Sequence, residues 1–130
     1  MTQLSERAKI LVVDDEPANL KVIREVLAND YRLSFAKSGE LALQLIENEP
    51  PKLILLDIMM PGMTGFDFLE KVRDEKLAEG AIIIMLTNQG QQEDIDKAMS
   101  LGADGYIIKA SAIPSEVLKK TIDIADKGKA

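Results

Sequence analysis

The run Lys52-Leu-Ile-Leu-Leu-Asp57 constrains this chain more than any other segment. Aliphatic residues in unbroken succession, bounded by Pro50-Pro51 and Pro61-Gly62, read as a strand buried on both faces of a parallel sheet. A carboxylate at the C-terminal end of such a strand emerges at the edge where open α/β sheets bind their ligands. A second run, Ile10-Leu-Val-Val13, ends in Asp14-Asp15-Glu16. Two strands of one sheet thus deliver at least three carboxylates to one edge. Carboxylates gathered in one place repel, and a hard divalent cation with oxygen ligands is the usual remedy. The pattern points to a Mg²⁺-dependent carboxylate site with Asp57 as the candidate nucleophile.

Further aliphatic runs at Ala81–Leu86 and Tyr106–Ile108, with a weaker amphipathic one at Tyr31–Ala36, complete five candidate strands. Between them, apolar residues recur at helical spacing. Leu20, Ile23, Val26 and Leu27 share one helix face, and Leu41, Leu45 and Ile46 a second. Phe66, Leu69 and Val72 mark a third, Ile95, Ala98 and Met99 a fourth, and Val117, Leu118, Ile122 and Ala125 the last. Gly102 and Gly128 fall where helix C-caps belong, and Pro114 suits the first turn of the final helix. Strand and helix alternate five times, which predicts an α/β fold with a parallel sheet covered on both faces. The 130 residues are the size of one domain, expected to span 1–130 with a core about 8–126.

Composition narrows the function. A net charge of -6 argues against a nucleic-acid surface, which needs clustered Lys and Arg. The absence of Cys excludes a disulfide framework and a thiolate zinc site, and the absence of His removes the commonest general base. No apolar run approaches the roughly 20 residues of a membrane helix, and Met1–Lys9 is too polar for a signal peptide. No membrane partner and a cytoplasmic location are therefore expected.

Reading the end of each strand gives Asp14 and Asp15, then Asp57, then Thr87, then Lys109. An acidic pair, a lone Asp, a hydroxyl and an ammonium on one rim suit phosphoryl transfer. A cation held by Asp15 and Asp57 would neutralise charge on an incoming phosphoryl group, while Lys109 and Thr87 hydrogen-bond its oxygens. Asp57 would attack phosphorus to form an aspartyl phosphate, with no base required because a carboxylate is ionised at neutral pH. Taken singly, each residue has a plainer reading. Asp14 and Asp15 could be helix caps, Lys109 a solvated surface ammonium, Thr87 an ordinary strand residue and Tyr106 a packing residue. Their common register carries the functional reading.

Four segments resemble the receiver domain of bacterial two-component response regulators, the family that includes the stand-alone chemotaxis regulator. They are Ile10-Leu-Val-Val-Asp-Asp-Glu-Pro17, Leu53-Ile-Leu-Leu-Asp-Ile-Met-Met-Pro-Gly-Met-Thr-Gly65, Ile84-Met-Leu-Thr87 and Gly102-Ala-Asp-Gly-Tyr-Ile-Ile-Lys109, and together they span nearly the whole chain. The resemblance implies a (βα)5 flavodoxin-like three-layer sandwich with strand order 2-1-3-4-5. It implies a phosphoacceptor role for Asp57, and Mg²⁺ binding by Asp57, Asp15 and the Met59 backbone carbonyl, with Asp14 acting mostly through water. Lys109 would contact the phosphoryl group, Thr87 would move toward it, and Tyr106 would turn inward as the aromatic switch. A histidine kinase or histidine phosphotransfer protein is the implied donor; Ala18, Leu20 and Lys21 are candidates to dock it, with a solvated helix face as their plainer reading. The face of helix four, strand five and helix five is the implied output surface, for an unnamed partner or for a phosphorylation-dependent homodimer.

Two departures from the family pattern stand out. Lys109 is followed by Ala110 where the family usually has a cis proline. A cis bond without proline costs about 2.5–4 kcal/mol, so a trans bond or a strained loop is expected. Met59 and Gln89 occupy the positions that tune hydrolysis in the family, two residues after Asp57 and Thr87. Two other functions remain as alternatives. One is an aspartyl-phosphate phosphatase, which would need a second Asp where Met59 stands; the other is a receiver-like scaffold that works without phosphorylation. The leading reading is a switch that turns over no external substrate.

Overall fold

The computed structural model describes residues 8–58, 60, 62–88, 92–109 and 114–128. Strands β1 (Lys9–Val13), β2 (Arg32–Ala36), β3 (Leu53–Asp57), β4 (Ile82–Asn88) and β5 (Gly105–Lys109) alternate with helices. These are α1 (Pro17–Leu27), α2 (Gly39–Asn48), α3 (Gly65–Asp74), α4 (Gln92–Ser100) and α5 (Ser115–Gly128). The strands pair in parallel in the order β2-β1-β3-β4-β5. The expected flavodoxin-like α/β fold and its strand order are therefore present. The chain leaves β1 toward β2 on one side and returns to β3 on the other. Their carboxyl ends thus flank the point where the winding reverses, the crevice in which such sheets hold ligands.

Alternation along the strands divides the core in two. Leu11, Val13, Ile54, Leu56, Ile83 and Met85 face a layer containing Ala42 and Ile46 of α2, Phe68, Leu69 and Val72 of α3, and Ala98 of α4. Ile10, Val12, Leu53, Leu55, Ile84 and Leu86 face Ile23 and Leu27 of α1 and Leu118 and Ile122 of α5. Every residue of β3 is buried, as a central strand covered on both sides requires.

Helix faces differ from the sequence reading in three places. Leu41, Met99 and Val117 were assigned to inner faces, yet they are 41%, 42% and 45% exposed. The inner stripe of α2 is Gly39, Ala42 and Ile46, and that of α4 is Ile95 and Ala98. Small residues let these helices lie close to the sheet, which turns the neighbouring larger side chains outward. Pro114 precedes α5 and accepts its first hydrogen bond, from Leu118 N, so it stands at the N-cap rather than inside the first turn. Gly128 falls within α5, and the side chain of Ala125 lies outside the described residues.

Gly102 does end α4. Ala103 N donates to Ala98 O at 3.0 Å and Gly102 N to Met99 O at 3.2 Å, the paired bonds of a Schellman motif, with Gly102 at φ 109°. The Gly102 carbonyl then accepts from Arg73 Nε at 3.1 Å and Nη2 at 2.9 Å. Arg73 Nη2 also reaches Asp104 Oδ2 at 3.0 Å, and that oxygen accepts Ile83 N at 2.8 Å. One guanidinium thus ties the end of α3 to the entry of β5 and the start of β4.

The β3–α3 connection is held equally closely. Gly65 N donates to Ile58 O at 2.9 Å, and Thr64 and Asp67 form a reciprocal capping box at the start of α3. A Cβ on Gly65 would press into the backbone carbonyl of Asp57 and lie 2.7 Å from Ile58 Cα. Gly65→Ala is expected to destabilise the fold by about 1–3 kcal/mol, because the nearest atoms are backbone and cannot rotate away. Arg73→Ala is expected to cost about 1–2 kcal/mol, its partial exposure limiting the loss. Urea unfolding checks both: the midpoint should fall while the slope stays unchanged.

Candidate functional site

The crevice is built from strand ends. Asp57 is the last residue of β3 and is 3% exposed. The chain leaves it through Ile58, whose N–H donates to Leu86 O at 3.3 Å on β4. With Gly65 packed behind the Asp57 carbonyl, the backbone that carries this side chain is fenced on two sides. Asp14 follows β1 and is fully buried; its backbone N–H donates to Ala36 O at 3.1 Å, which continues the β1–β2 ladder by one bond. Its carboxylate oxygens have separate donors: Glu16 N reaches Oδ1 at 2.9 Å and Asn19 Nδ2 reaches Oδ2 at 3.0 Å. Pro17 opens α1 immediately afterwards, where its fixed φ suits the first helical position.

Asp14, Asp15 and Asp57 each bring a carboxylate oxygen within 4.8 Å of the others; Asp14 and Asp57 are buried, and Asp15 is half-buried. Lys109, the last residue of β5, is 4% exposed, and its Nζ lies 3.2 Å from Asp57 Oδ1. The same Nζ stands 3.8 Å from Asp14 Oδ2 and 3.7 Å from Glu16 Oε1. Two unit charges roughly 4 Å apart interact by about 4 kcal/mol at an effective dielectric of roughly 20, so one ammonium offsets much of this repulsion but not all of it. Four carboxylates against one ammonium leave the crevice negative. Its donors are all oxygens, which suits a hard divalent cation held by Asp14, Asp15 and Asp57.

Strand parity sorts the remaining residues. Asp57 pairs with Leu86, which belongs to the α1–α5 side of the sheet, and buried Lys109 alternates with buried Ile107 on that side. Thr87 is 2% exposed and shares the parity of Met85, on the opposite side. Tyr106 pairs with Met85 and Ile108 with Thr87, so Thr87 and Tyr106 lie on one face of adjacent strands. Tyr106 is 45% exposed, turned outward. Met59, Gln89 and Ala110, and hence the Lys109–Ala110 bond, lie outside the described residues.

Three contributors were not singled out from sequence. Asn19 occupies the inner stripe of α1, where spacing alone suggested apolar residues; an amide four residues before Ile23 and one turn beyond an acidic pair was the available signal. Glu16, read only as part of an acidic triplet, approaches Lys109. Gly65, named only as the end of the motif that begins at Leu53, is the first residue of α3 and packs against the Asp57 backbone.

Comparison with known proteins identifies the arrangement. The response regulator receiver domain profile matches residues 10–123. The chain is 34% identical over 108 residues to the chemotaxis protein CheY of Halobacterium salinarum, covering 82% of this chain and 88% of that protein. It is 34% identical over 117 residues to the nitrate/nitrite response regulator NarL of Escherichia coli, covering 88% of this chain and 53% of NarL. It is 37% identical over 114 residues to a probable cyclic di-GMP phosphodiesterase of Vibrio cholerae, covering 88% of this chain but only 26% of that protein. The chain thus spans from about a quarter to most of the length of these relatives. Among solved structures, the Vibrio cholerae chemotaxis protein CheY4 superposes with a TM-score of 0.81 at 30% identity, covering 90% of this chain and 97% of that one. With an acidic crevice at the β1–β3 reversal, a buried Lys at the end of β5 and a family match over most of its length, the chain belongs to the response regulator receiver domains of two-component systems.

Proposed function

We propose that this chain is a phosphoacceptor switch that takes a phosphoryl group onto Asp57 in the presence of Mg²⁺. The observation that carries the proposal is the buried Asp57 carboxylate, 3.2 Å from Lys109 Nζ and clustered with Asp14 and Asp15. An Asp57 oxygen forms a bond to phosphorus while the donor's bond to phosphorus breaks, its electron pair leaving with the donor. Lys109 is already beside that oxygen and needs only a small shift to meet the transferred oxygens. Asp15 and Asp57, with Asp14 and the Met59 carbonyl, would hold Mg²⁺, which supplies charge neutralisation when bound. Asp57 is only 3% exposed, which limits access of water to its carboxylate. A histidine kinase or a histidine phosphotransfer protein in the cytoplasm is the proposed donor. Ala18 and Lys21 of α1 are exposed and Leu20 is half-buried, so the rim above the acidic pair is open to it.

The output is a change in the α4–β5–α5 face. Among the described residues, four of the five large exposed hydrophobics, Met99, Tyr106, Ile108 and Val117, lie on those three elements, which favours this face as the partner or homodimer surface. Thr87 and Tyr106 share one side of the sheet, so movement of Thr87 toward a phosphoryl group would open space on the side from which Tyr106 can turn inward. This two-state coupling needs no external substrate, and no turnover is expected.

Intact mass after incubation with acetyl phosphate and Mg²⁺ tests the first claim. One phosphoryl adduct is expected on the unmodified chain and none on Asp57→Ala or in EDTA; an adduct retained by Asp57→Ala would place the acceptor elsewhere. The switch has its own test, because the chain contains two tyrosines and no tryptophan. In a Tyr31→Phe background, tyrosine emission reports Tyr106 alone and is expected to change on phosphorylation. Adding Thr87→Ala is expected to abolish that change while the mass adduct persists.

A further inference from the structure

The inner stripe of α1 is Asn19, Ile23 and Leu27, each one turn from the next and each fully or almost fully buried. Two of these positions do what an amphipathic helix requires. The third places an amide where an aliphatic side chain would fit, and Asn is a poorer helix former than Leu. The amide is only half satisfied: Nδ2 donates to Asp14 Oδ2 at 3.0 Å, while Oδ1, buried, has no partner among the described residues. The assignment of the two amide atoms follows from chemistry, since only the NH₂ can donate to a carboxylate. A buried polar group of this kind is ordinarily completed by ordered water, and Mg²⁺ sites keep several waters.

Removing the Asn19 donor would change where the Asp14 carboxylate rests. Its other oxygen is fixed by Glu16 N at 2.9 Å, so the carboxylate pivots about that bond. Among the described residues, Lys109 Nζ also approaches Oδ2, at 3.8 Å. Without Asn19, Asp14 is drawn toward the ammonium that Asp57 also uses. We propose that Asn19 is a positioning residue of the cation site. Its Nδ2 fixes the Asp14 carboxylate apart from Lys109, and its Oδ1 accepts from ordered water beside that carboxylate. The inference rests on the reading of Asp14, Asp15 and Asp57 as a Mg²⁺ site.

Calorimetric titration with MgCl₂ tests it, on the unmodified chain, Asn19→Leu and Asn19→Ser, with thermal unfolding of each in EDTA. Asn19→Leu keeps the side-chain size and removes both polar atoms; it is expected to weaken Mg²⁺ binding about 10- to 100-fold, as loss of a ligand-orienting partner does elsewhere. Asn19→Ser, the milder change should Leu prevent folding, is expected to weaken binding less, since its hydroxyl can reach Asp14 through water. Affinity within twofold of the unmodified chain in a folded variant overturns the proposal, whatever the melting temperature, because a merely structural Asn19 would alter stability alone. Absence of Mg²⁺ binding by the unmodified chain would overturn the cation reading itself, and this inference with it.

Discussion

Like charges packed at one sheet edge are the constraint on which the rest of this structure depends. Asp14 and Asp57 are both buried, and burial of ionised carboxylates is tolerated only where donors or cations meet them. Lys109 supplies the cation and sits within 4 Å of three carboxylates, and Glu16 N and Asn19 Nδ2 supply hydrogen bonds to the two oxygens of Asp14. The balance remains negative. Such a crevice gains most from a divalent ion, which in the proposed function would also offset the charge of a phosphoryl group on Asp57.

In the proposed function the sheet would convert that local chemistry into a surface property. Asp57 and Lys109 lie on the α1–α5 side, whereas Thr87 and Tyr106 lie on the other. A hydroxyl drawn across the edge of β4 would move matter between two separately packed layers. Close-packed layers respond in discrete steps rather than by gradual deformation. In the proposed switch, the exposed Met99, Tyr106, Ile108 and Val117 would form a face whose shape depends on whether Tyr106 is out or in. Arg73, by joining α3 to the β4 and β5 entries, gives the far end of that layer a fixed frame against which such a step can occur.

Most of the fold could be read without coordinates. Aliphatic runs with acids at their ends specified parallel strands and their polarity, and helical spacing specified five crossovers, because both signals are local and periodic. Where the reading failed, size had been taken for burial. Spacing of large apolar residues puts Leu41 on the inner face of α2 and Met99 on that of α4 beside Ala98, yet Ala42 and Ala98 are buried and the larger residues exposed. Periodicity fixes the direction of a helix face to within a residue. The edge of that face is set by how closely the helix approaches the sheet, which small residues decide.

The sequence by itself determined the alternation of strands and helices and the placing of Asp14, Asp15, Asp57, Thr87 and Lys109 at strand ends, since each follows from its own neighbours in the chain. Tertiary structure decided which of them touch. The 3.2 Å contact between Lys109 and Asp57 joins residues from two strands that are not adjacent in the sheet. The hold of Asn19 on Asp14 requires α1 to pack with one particular rotation, and the fit of Gly65 behind Asp57 requires the β3–α3 loop to close on its own strand. Such contacts depend on angles and distances between elements, and these are fixed only when the whole core is packed.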